Sequence, residues 1–596
     1  MRHILSRIGN YHSTYILGFA CTLSLNLLHF YSGGSIILGG EGNYILNYPL
    51  HFENTAHQWH SRFGLGGVNL VPGSNTTNLL FLSLIENFFQ NAALSNFVLI
   101  FFMYFLPFLG MYLIPLELKQ KPYLCATIAL FYAINPFSTQ FLSTHNQWNA
   151  FALSVIPILF WVVLRYYNDN LKLFLWYGSI SAFFSFAYTN HPLCIIINIS
   201  TILAVYITSY YRHGRLLPAE FLKKYFLVFS AFLTLNTWWL LNLFRTAAPA
   251  LELYSASSAM AWLKLTVAHE GNPLAKIFSI TSMVPPKTES FAGHYFNTPI
   301  SFFIGMIPIF LTVIGLFLNK NTRMVRLNIH ILVMVLLAIL LTKGAAPPFG
   351  SIYLFLFEYV PFFNVLKSPI EKFGILQIFL LSILLLFTLL AGKNSKYYKK
   401  WVIIFTAYLL FCAGPLLTGN IIAGEMVLGS EITVTRKFKE KPLHKNFRTQ
   451  INNEKLEYKI LSLPGMGNYQ MLFDSLPGKQ YSGIDPLLHN TNKGLLTSYL
   501  DPEIKTLYNF MLDEKIQNLF GTFNIGKLVI NGNLKPWFGW VGPAGSQKLR
   551  NRFKDLPRKD FGNISAHSIL NDFIPVVNVP QTMMLNYNID RRVRHR

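Results

Sequence analysis

The Lys and Arg residues of this chain cluster at every second junction between long apolar runs, and that alternation limits what it can fold into. With Met1–Arg7 placed in the cytoplasm, the next basic clusters on that side are Lys119–Lys121, Arg165–Lys172, Arg212–Lys224, Lys320–Arg326 and Lys393–Lys400. The loops between them are larger, aromatic and poor in Lys and Arg. This is the positive-inside pattern of a multi-span membrane protein. A helical span needs about 20 apolar residues, and about eleven blocks approach that length. They lie near 13–31, 95–115, 122–137, 149–164, 173–189, 192–210, 225–243, 299–318, 327–342, 373–391 and 401–418. Charged residues make up only 13% of the chain, against about 25% in soluble domains. Stretches near 77–90 and 351–363 are also apolar and read as interfacial or re-entrant pieces of the outer face.

An odd number of spans places the termini on opposite sides. The fold class that follows is an α-helical multi-pass protein of the plasma membrane, with a cytoplasmic N-terminus. Residues 1–418 form its membrane half, with a first outer loop over 32–93. Beyond residue 418 Gly, Pro, Asn and charged residues rise, and 419–596 reads as an extracytoplasmic soluble domain of mixed α/β character. Tyr458–Leu463 and Lys527–Ile530 have strand composition, and Ile504–Leu519 reads as a helix. The first apolar run follows Arg2 and Arg7, lacks a small-residue cleavage site and leads into further spans. It reads as an uncleaved signal anchor. The formal charge of +23 belongs largely to short cytoplasmic loops facing anionic lipid, so membrane lipid is the expected partner and nucleic acid is not. Cys21, Cys125, Cys194 and Cys412 all fall within predicted spans, which implies neither a disulfide framework nor a cysteine metal site.

The alternation sends most groups capable of chemistry to the outer side. Up to residue 430 the chain has a single Asp, Asp169, in a cytoplasmic loop. An outer-face carboxylate in the membrane half is therefore a Glu: Glu41, Glu53, Glu86, Glu252, Glu270, Glu289, Glu358 or Glu371. Glu41 follows the first span closely, flanked by Gly39, Gly40 and Gly42, with Asn43 beside it. Glycines let backbone approach a ligand. A carboxylate at a membrane boundary is costly to desolvate, which suits a general base. A loop Glu paired with a cation is the plainer alternative.

The outer-face cations and polar turns come next. Lys367, Glu371 and Lys372 bracket the start of the tenth block, behind Pro369, and the i,i+4 spacing of Lys367 and Glu371 allows them to pair. Lysines at an outer boundary run against the positive-inside bias; a phosphate head group or a Lys–Glu pair would each explain them. Asn190 and His191 sit at the outer turn between the fifth and sixth blocks, His145 and Gln147 precede the fourth, and Arg245 follows Trp238-Trp239 at the end of the seventh. In the first loop, Phe52, Ala56, Trp59 and Phe63 form the stripe of an amphipathic helix. Glu53, His57 and His60 lie off that stripe at helical metal-ligand spacing, but without the HExxH order or a further ligand. No metal site is read there.

One carboxylate, several cations and an apolar approach are what glycosyl transfer from a polyprenyl-phosphate sugar requires. The acceptor hydroxyl needs a base. The leaving lipid phosphate needs positive charge and donors but no general acid. A glycosidase would need two placed carboxylates.

The arrangement resembles the GT-C superfamily of membrane glycosyltransferases, and within it the YfhO-type and arabinofuranosyltransferase-like bacterial proteins. The local resemblance rests on Gly39-Gly40-Glu41-Gly42-Asn43, on His145 and Asn190-His191 at outer turns, and on Phe363–Phe373. That last stretch is similar to an F-R-x-P-x-K-F element, matched by Lys367 (in place of Arg), Pro369, Lys372 and Phe373. The resemblance implies an inverting transferase with a lipid-phosphate-linked sugar donor and a cell-envelope glycan, glycolipid or glycoprotein acceptor. It assigns the base role to Glu41. Phosphate binding falls to Lys367 and Lys372, with His191 and Arg245 as further candidates. Many members carry Asp in the first loop, often as an acidic pair; the single Glu departs from that and puts metal dependence in doubt, so a divalent metal stays open but unsupported by the sequence. The competing readings are a transporter or flippase of a lipid-linked saccharide and a non-catalytic glycan-binding scaffold. A transporter would carry ionisable groups along a path inside the bundle, whereas here they gather on one face. No internal repeat of the kind many transporters show is visible.

Overall fold

The computed structural model describes residues 10–38, 45–55, 59–60, 67–68, 71–143, 147–253, 259–261, 263–264, 291–296, 298–318, 322–361, 363–392, 398–420, 425–428, 432–435, 437–455, 458–463, 471–476, 479–483, 487–496, 524–531, 550–551, 553–561 and 564–569. The chain divides into two compact units. One comprises Met1–Gln58, Val68–Lys439 and Asp474–Gly483; the other Trp59–Gly67, Glu440–Phe473 and Ile484–Arg596.

The first unit is a helical bundle. Each expected apolar block is helical, and seven helices among the described residues are long and apolar enough to span a bilayer. They are Tyr11–Tyr31, Ala92–Glu117, Gln147–Tyr166, His191–His213, Pro299–Phe317, Thr322–Lys343 and Pro369–Gly392. The other four blocks take different forms. Pro122–Ile134 ends where Asn135-Pro136 follows, because the residue before a proline is steered out of the helical region. The fifth block divides at Phe184 into Asn170–Phe183 and Ser185–Thr189. The eleventh divides at Ala413 into Tyr398–Cys412 and Gly414–Leu417. The seventh lies inside the longer Pro218–Leu253, whose first two turns carry Glu220, Lys223 and Lys224.

Burial sorts the helices. Gln147–Tyr166 and Pro369–Gly392 are apolar all round and 94% buried in their most apolar windows, so they form the centre. Tyr11–Tyr31 is only 22% buried and faces outward. Close approach at the centre relies on Gly110. A Cβ there would meet the Ile158 Cγ1 at 2.8 Å, so only glycine lets the Ala92–Glu117 helix sit this near Gln147–Tyr166.

Four of the basic clusters meet at one end of this bundle, as the alternation requires. Arg165 pairs with Glu117 at 3.0 Å. Arg212 donates to the Leu164 carbonyl at 2.7 Å. Lys224 donates to the Tyr167 carbonyl, and Arg323 to that of Tyr211.

The first outer loop departs from expectation. Its described helix is Tyr48–Thr55, and Trp59–His60 is a short strand paired with Gly67–Val68. The Phe52–Phe63 stripe and the helical spacing of Glu53, His57 and His60 are thereby lost; His57 lies outside the described residues. The apolar stretch near 77–90 belongs to the helix Val71–Phe89, which leaves Phe81, Leu84 and Phe88 exposed. Gly350–Tyr359 likewise exposes Ile352, Phe355 and Tyr359 while burying Tyr353 and Phe357. Outward apolar stripes of this kind suit an interfacial position.

The second unit contains a five-stranded sheet in the order Gly494–Leu496, Lys459–Leu463, Ile525–Asn531, Ile564–Ser568, Arg558–Phe561. The first three strands are parallel and the last two antiparallel. The helix Pro442–Asn453 buries His444, Phe447 and Ile451, and Phe447 meets Phe561 edge-on at 5.2 Å. Both sequence-expected strands are present; the helix expected over Ile504–Leu519 lies outside the described residues.

Candidate functional site

The start of the Pro369–Gly392 helix is fixed from several sides. Lys343, at the end of its own helix and almost fully buried, donates to the carbonyls of Ala346 and Pro348. Gly344 has φ +62°, and a Cβ there would lie 2.4 Å from the Pro369 Cγ. The Tyr353 hydroxyl donates to the Leu366 carbonyl at 2.5 Å. This frame sets the first turn, with Pro369 as its opening residue.

Lys372 projects from that turn with its side chain 8% exposed. Its ammonium donates to the Asn149 Oδ1 at 3.1 Å and lies 3.5 Å from the Glu371 Oε2. Asn149 is fully buried, whereas Glu371 is 46% exposed. A buried ammonium is expensive unless acceptors surround it, so the Lys372–Asn149 contact is built rather than incidental. Gln147, two residues before Asn149, is also buried, and among the described residues its Nε2 has no partner. Trp148 stacks on Phe186 at 5.3 Å, joining this turn to the short helix that leads to Asn190. The buried Asn190 Oδ1 likewise has no partner among the described residues, and His191 opens the next helix at an exposed position.

The expected pairing of Lys367 with Glu371 is replaced. Lys367 lies ahead of the helix, after the turn Phe363–Leu366, so helical i,i+4 spacing does not apply to it. Glu371 meets Lys372 instead. Lys367 is half-buried. Arg245 does not end a helix: Pro218–Leu253 continues past it, and its side chain lies outside the described residues. Glu41, Asn43 and His145 also lie outside them. Among the described residues no group of three or more His, Cys, Asp or Glu side chains could hold a metal ion.

Both flanks of the Glu41 segment are well defined. On one side Asn96 bonds both backbone groups of Ile37, at 3.2 and 3.0 Å. On the other, the Tyr48 N–H donates to the Glu86 Oε2 at 2.9 Å. Sequence reasoning counted Glu86 only among the carboxylates and missed Asn96, Asn149 and Lys343. Asn96 and Asn149 did carry a signal, being amides inside otherwise apolar blocks. Nothing local marks their partners.

No protein-family profile matches the chain, and neither does any curated protein sequence. Its fold is similar to that of the arabinofuranosyltransferase AftD from mycobacteria: TM-score 0.54 and 11% identity, over 92% of this chain and 39% of that one. A mutant form of AftD gives TM-score 0.51 and 13% identity, over 87% of this chain and 37% of that one. The chain thus spans well under half the length of the protein it resembles. What the two share is the fold.

Proposed function

We propose that this chain is an integral-membrane, inverting GT-C-type glycosyltransferase. It moves a sugar from a polyprenyl-phosphate-linked donor to an envelope glycan, glycolipid or glycoprotein acceptor. The reaction takes place at the outer face of the plasma membrane, with residues 419–596 on that side. The observation that carries the reading is the buried Lys372 ammonium, held by Asn149 at the start of the central helix; Gln147, two residues before Asn149, has an Nε2 with no partner among the described residues. The AftD-like fold supports it.

In this reading the Glu41 carboxylate takes the proton of the acceptor hydroxyl. The hydroxyl oxygen attacks the anomeric carbon from the face opposite the phosphate. The bond from that carbon to the phosphate oxygen breaks, and the lipid phosphate leaves with the electron pair. Lys372 and the Gln147 amide stabilise that charge where it develops, and Lys367, His191 and Arg245 extend the cationic lining. Asn43, His145, Asn190 and Glu371 orient the sugar or the acceptor.

The test is transfer by purified protein in lipid, with a panel of polyprenyl-phosphate sugars and an envelope glycan extract, wild type beside Glu41→Gln. Transfer by the wild type and none by a folded Glu41→Gln variant is the expected result. Equal transfer by both moves the base elsewhere. Donor binding without transfer by either would overturn the enzyme reading in favour of a transporter or scaffold.

A further inference from the structure

We propose that the groove between the helices His191–His213 and Thr322–Lys343 holds an anionic lipid of the leaflet at the basic end of the bundle. Its phosphate sits on Arg323 and Arg326, and its acyl chain lies along Val333 and Leu337. The positive-inside bias makes that leaflet the cytoplasmic one.

The helix Thr322–Lys343 carries a graded face. Arg323, Arg326, His330, Val333 and Leu337 recur at i, i+3, i+7, i+10 and i+14, which places them on one side of it. His330 is half-buried and the other four are exposed. From the basic end inwards, this face passes from guanidinium to imidazole to hydrocarbon. The rise from Arg326 to Leu337 is about 16 Å, close to the roughly 15 Å of hydrocarbon in one leaflet. A phospholipid shows the same order of chemistry over the same depth. Neither helix carries an Asp or Glu, so no carboxylate of their own offsets the two guanidinium charges.

The facing helix follows the same gradient. Arg323 donates to the Tyr211 carbonyl and His330 bonds Tyr206, so the two helices run antiparallel. Ile199, Leu203, Tyr206 and Tyr210 recur at i, i+4, i+7 and i+11. The half-buried Leu203 and Ile199 therefore fall at the depth of Val333 and Leu337.

Two features of the groove are built for a ligand. Arg323 is preset, because its guanidinium is anchored on the Tyr211 carbonyl and lies over Gly214, where a Cβ would come 3.0 Å from the Arg323 Nε. Gly214 closes its helix at φ +74°, a left-handed turn that glycine adopts readily. The second feature is His330. An ionisable side chain inside a span is costly and marks a site, whereas an apolar residue would suit plain lipid contact. The Tyr206 hydroxyl meets its Nδ1 at 2.8 Å, and Tyr210 meets the ring edge-on at 5.0 Å. With the hydroxyl donating to Nδ1, the imidazole proton sits on Nε2, ready for a lipid ester or phosphate oxygen. His330 lies about 6 Å deeper than Arg326, at the boundary between head groups and chains.

The test is native mass spectrometry of the full-length protein in detergent, with thermal unfolding in parallel, and it needs no transfer activity. The protein is titrated with phosphatidylglycerol or with phosphatidylcholine of the same chains. The wild type should retain one phosphatidylglycerol in preference to phosphatidylcholine. Arg323→Gln and Arg326→Gln should each weaken that binding about fivefold. Lys399→Gln removes the same charge from an exposed position on another helix and should leave binding nearly unchanged. His330→Leu should weaken it several-fold, and Tyr206→Phe, which keeps the imidazole, should weaken it less. Equal losses from Lys399→Gln and Arg326→Gln would overturn the site in favour of diffuse attraction. Equal retention of the two lipids would overturn it too, as would displacement of phosphatidylglycerol by excess inorganic phosphate, which has no chain. Unfolding temperatures lowered alike by His330→Leu and Tyr206→Phe, with lipid binding at the wild-type value, would reduce His330 to a strut between helices and overturn its part in the site.

Discussion

Replacing Lys372 by Met separates a phosphate-binding lysine from a structural one. The ammonium is 8% exposed and gives one hydrogen bond to Asn149 at 3.1 Å. Its removal takes a donor from a fully buried amide oxygen, which costs about 1–3 kcal/mol. Against this, the folded state no longer has to desolvate an ammonium, and that relief is of similar size. Net stability should change by no more than about 2 kcal/mol. The catalytic consequence should be larger. A preorganised donor facing a developing charge in a dry site contributes about 3–4 kcal/mol, roughly 100- to 1,000-fold in rate. An exposed surface lysine would contribute about 0–1 kcal/mol, less than tenfold. The assay is single-turnover transfer from the accepted polyprenyl-phosphate sugar, with thermal unfolding of each variant in parallel. Lys372→Met should transfer at least 100-fold more slowly with nearly normal unfolding, while Lys372→Arg, which keeps the charge, should lose less. Transfer by Lys372→Met within threefold of wild type would refute the argument from burial.

Other outcomes follow from the same contacts. Asn149→Leu leaves Lys372 charged but removes its acceptor, so transfer should fall by about tenfold, with donor binding weakened, in a filter or fluorescence binding assay. Gly344→Ala should destabilise the protein by about 1–2 kcal/mol through its φ of +62° alone. Its Cβ also presses on Pro369, so transfer should fall with the unfolding temperature. Lys343→Met should act similarly by releasing the Ala346 and Pro348 carbonyls. In the second unit, burial pushes the Lys459 ammonium down to about 8. Below that pH the lysine is charged folded or unfolded, and the burial penalty is fully present. As pH rises from about 8 towards the unfolded lysine value near 10.4, the folded state releases its proton first and stability climbs. Thermal unfolding between pH 7 and 10.5 should show this rise, and Lys459→Met should abolish it while stabilising the unit at pH 7 by at most about 3 kcal/mol. A flat profile in the wild type would remove the argument.

Much of this protein is legible in the chain. Apolar block length, interrupted by basic clusters, dictates a helical bundle, because unsatisfied backbone is intolerable in hydrocarbon and the charge of Lys and Arg opposes translocation. The contacts Arg165–Glu117, Arg212–Leu164, Lys224–Tyr167 and Arg323–Tyr211 show those clusters gathered at one end. Lys372 could be singled out because a lysine at the opposite end runs against the bias. Block length could not decide where helices break: Asn135-Pro136, Phe184 and Ala413 interrupt runs whose composition is apolar throughout. Nor could it show that Trp59–His60 is a strand, since a stripe at helical spacing is compatible with a helix without compelling one. The pairings that define the site depended wholly on tertiary structure. Asn149 meets Lys372 across 223 residues, and Asn96 meets Ile37 across 59. Periodicity records which face of a helix is apolar. Which polar group a buried amide reaches is set by how the helices pack, and Gly110 against Ile158 and Gly344 against Pro369 are two of the close approaches in that packing.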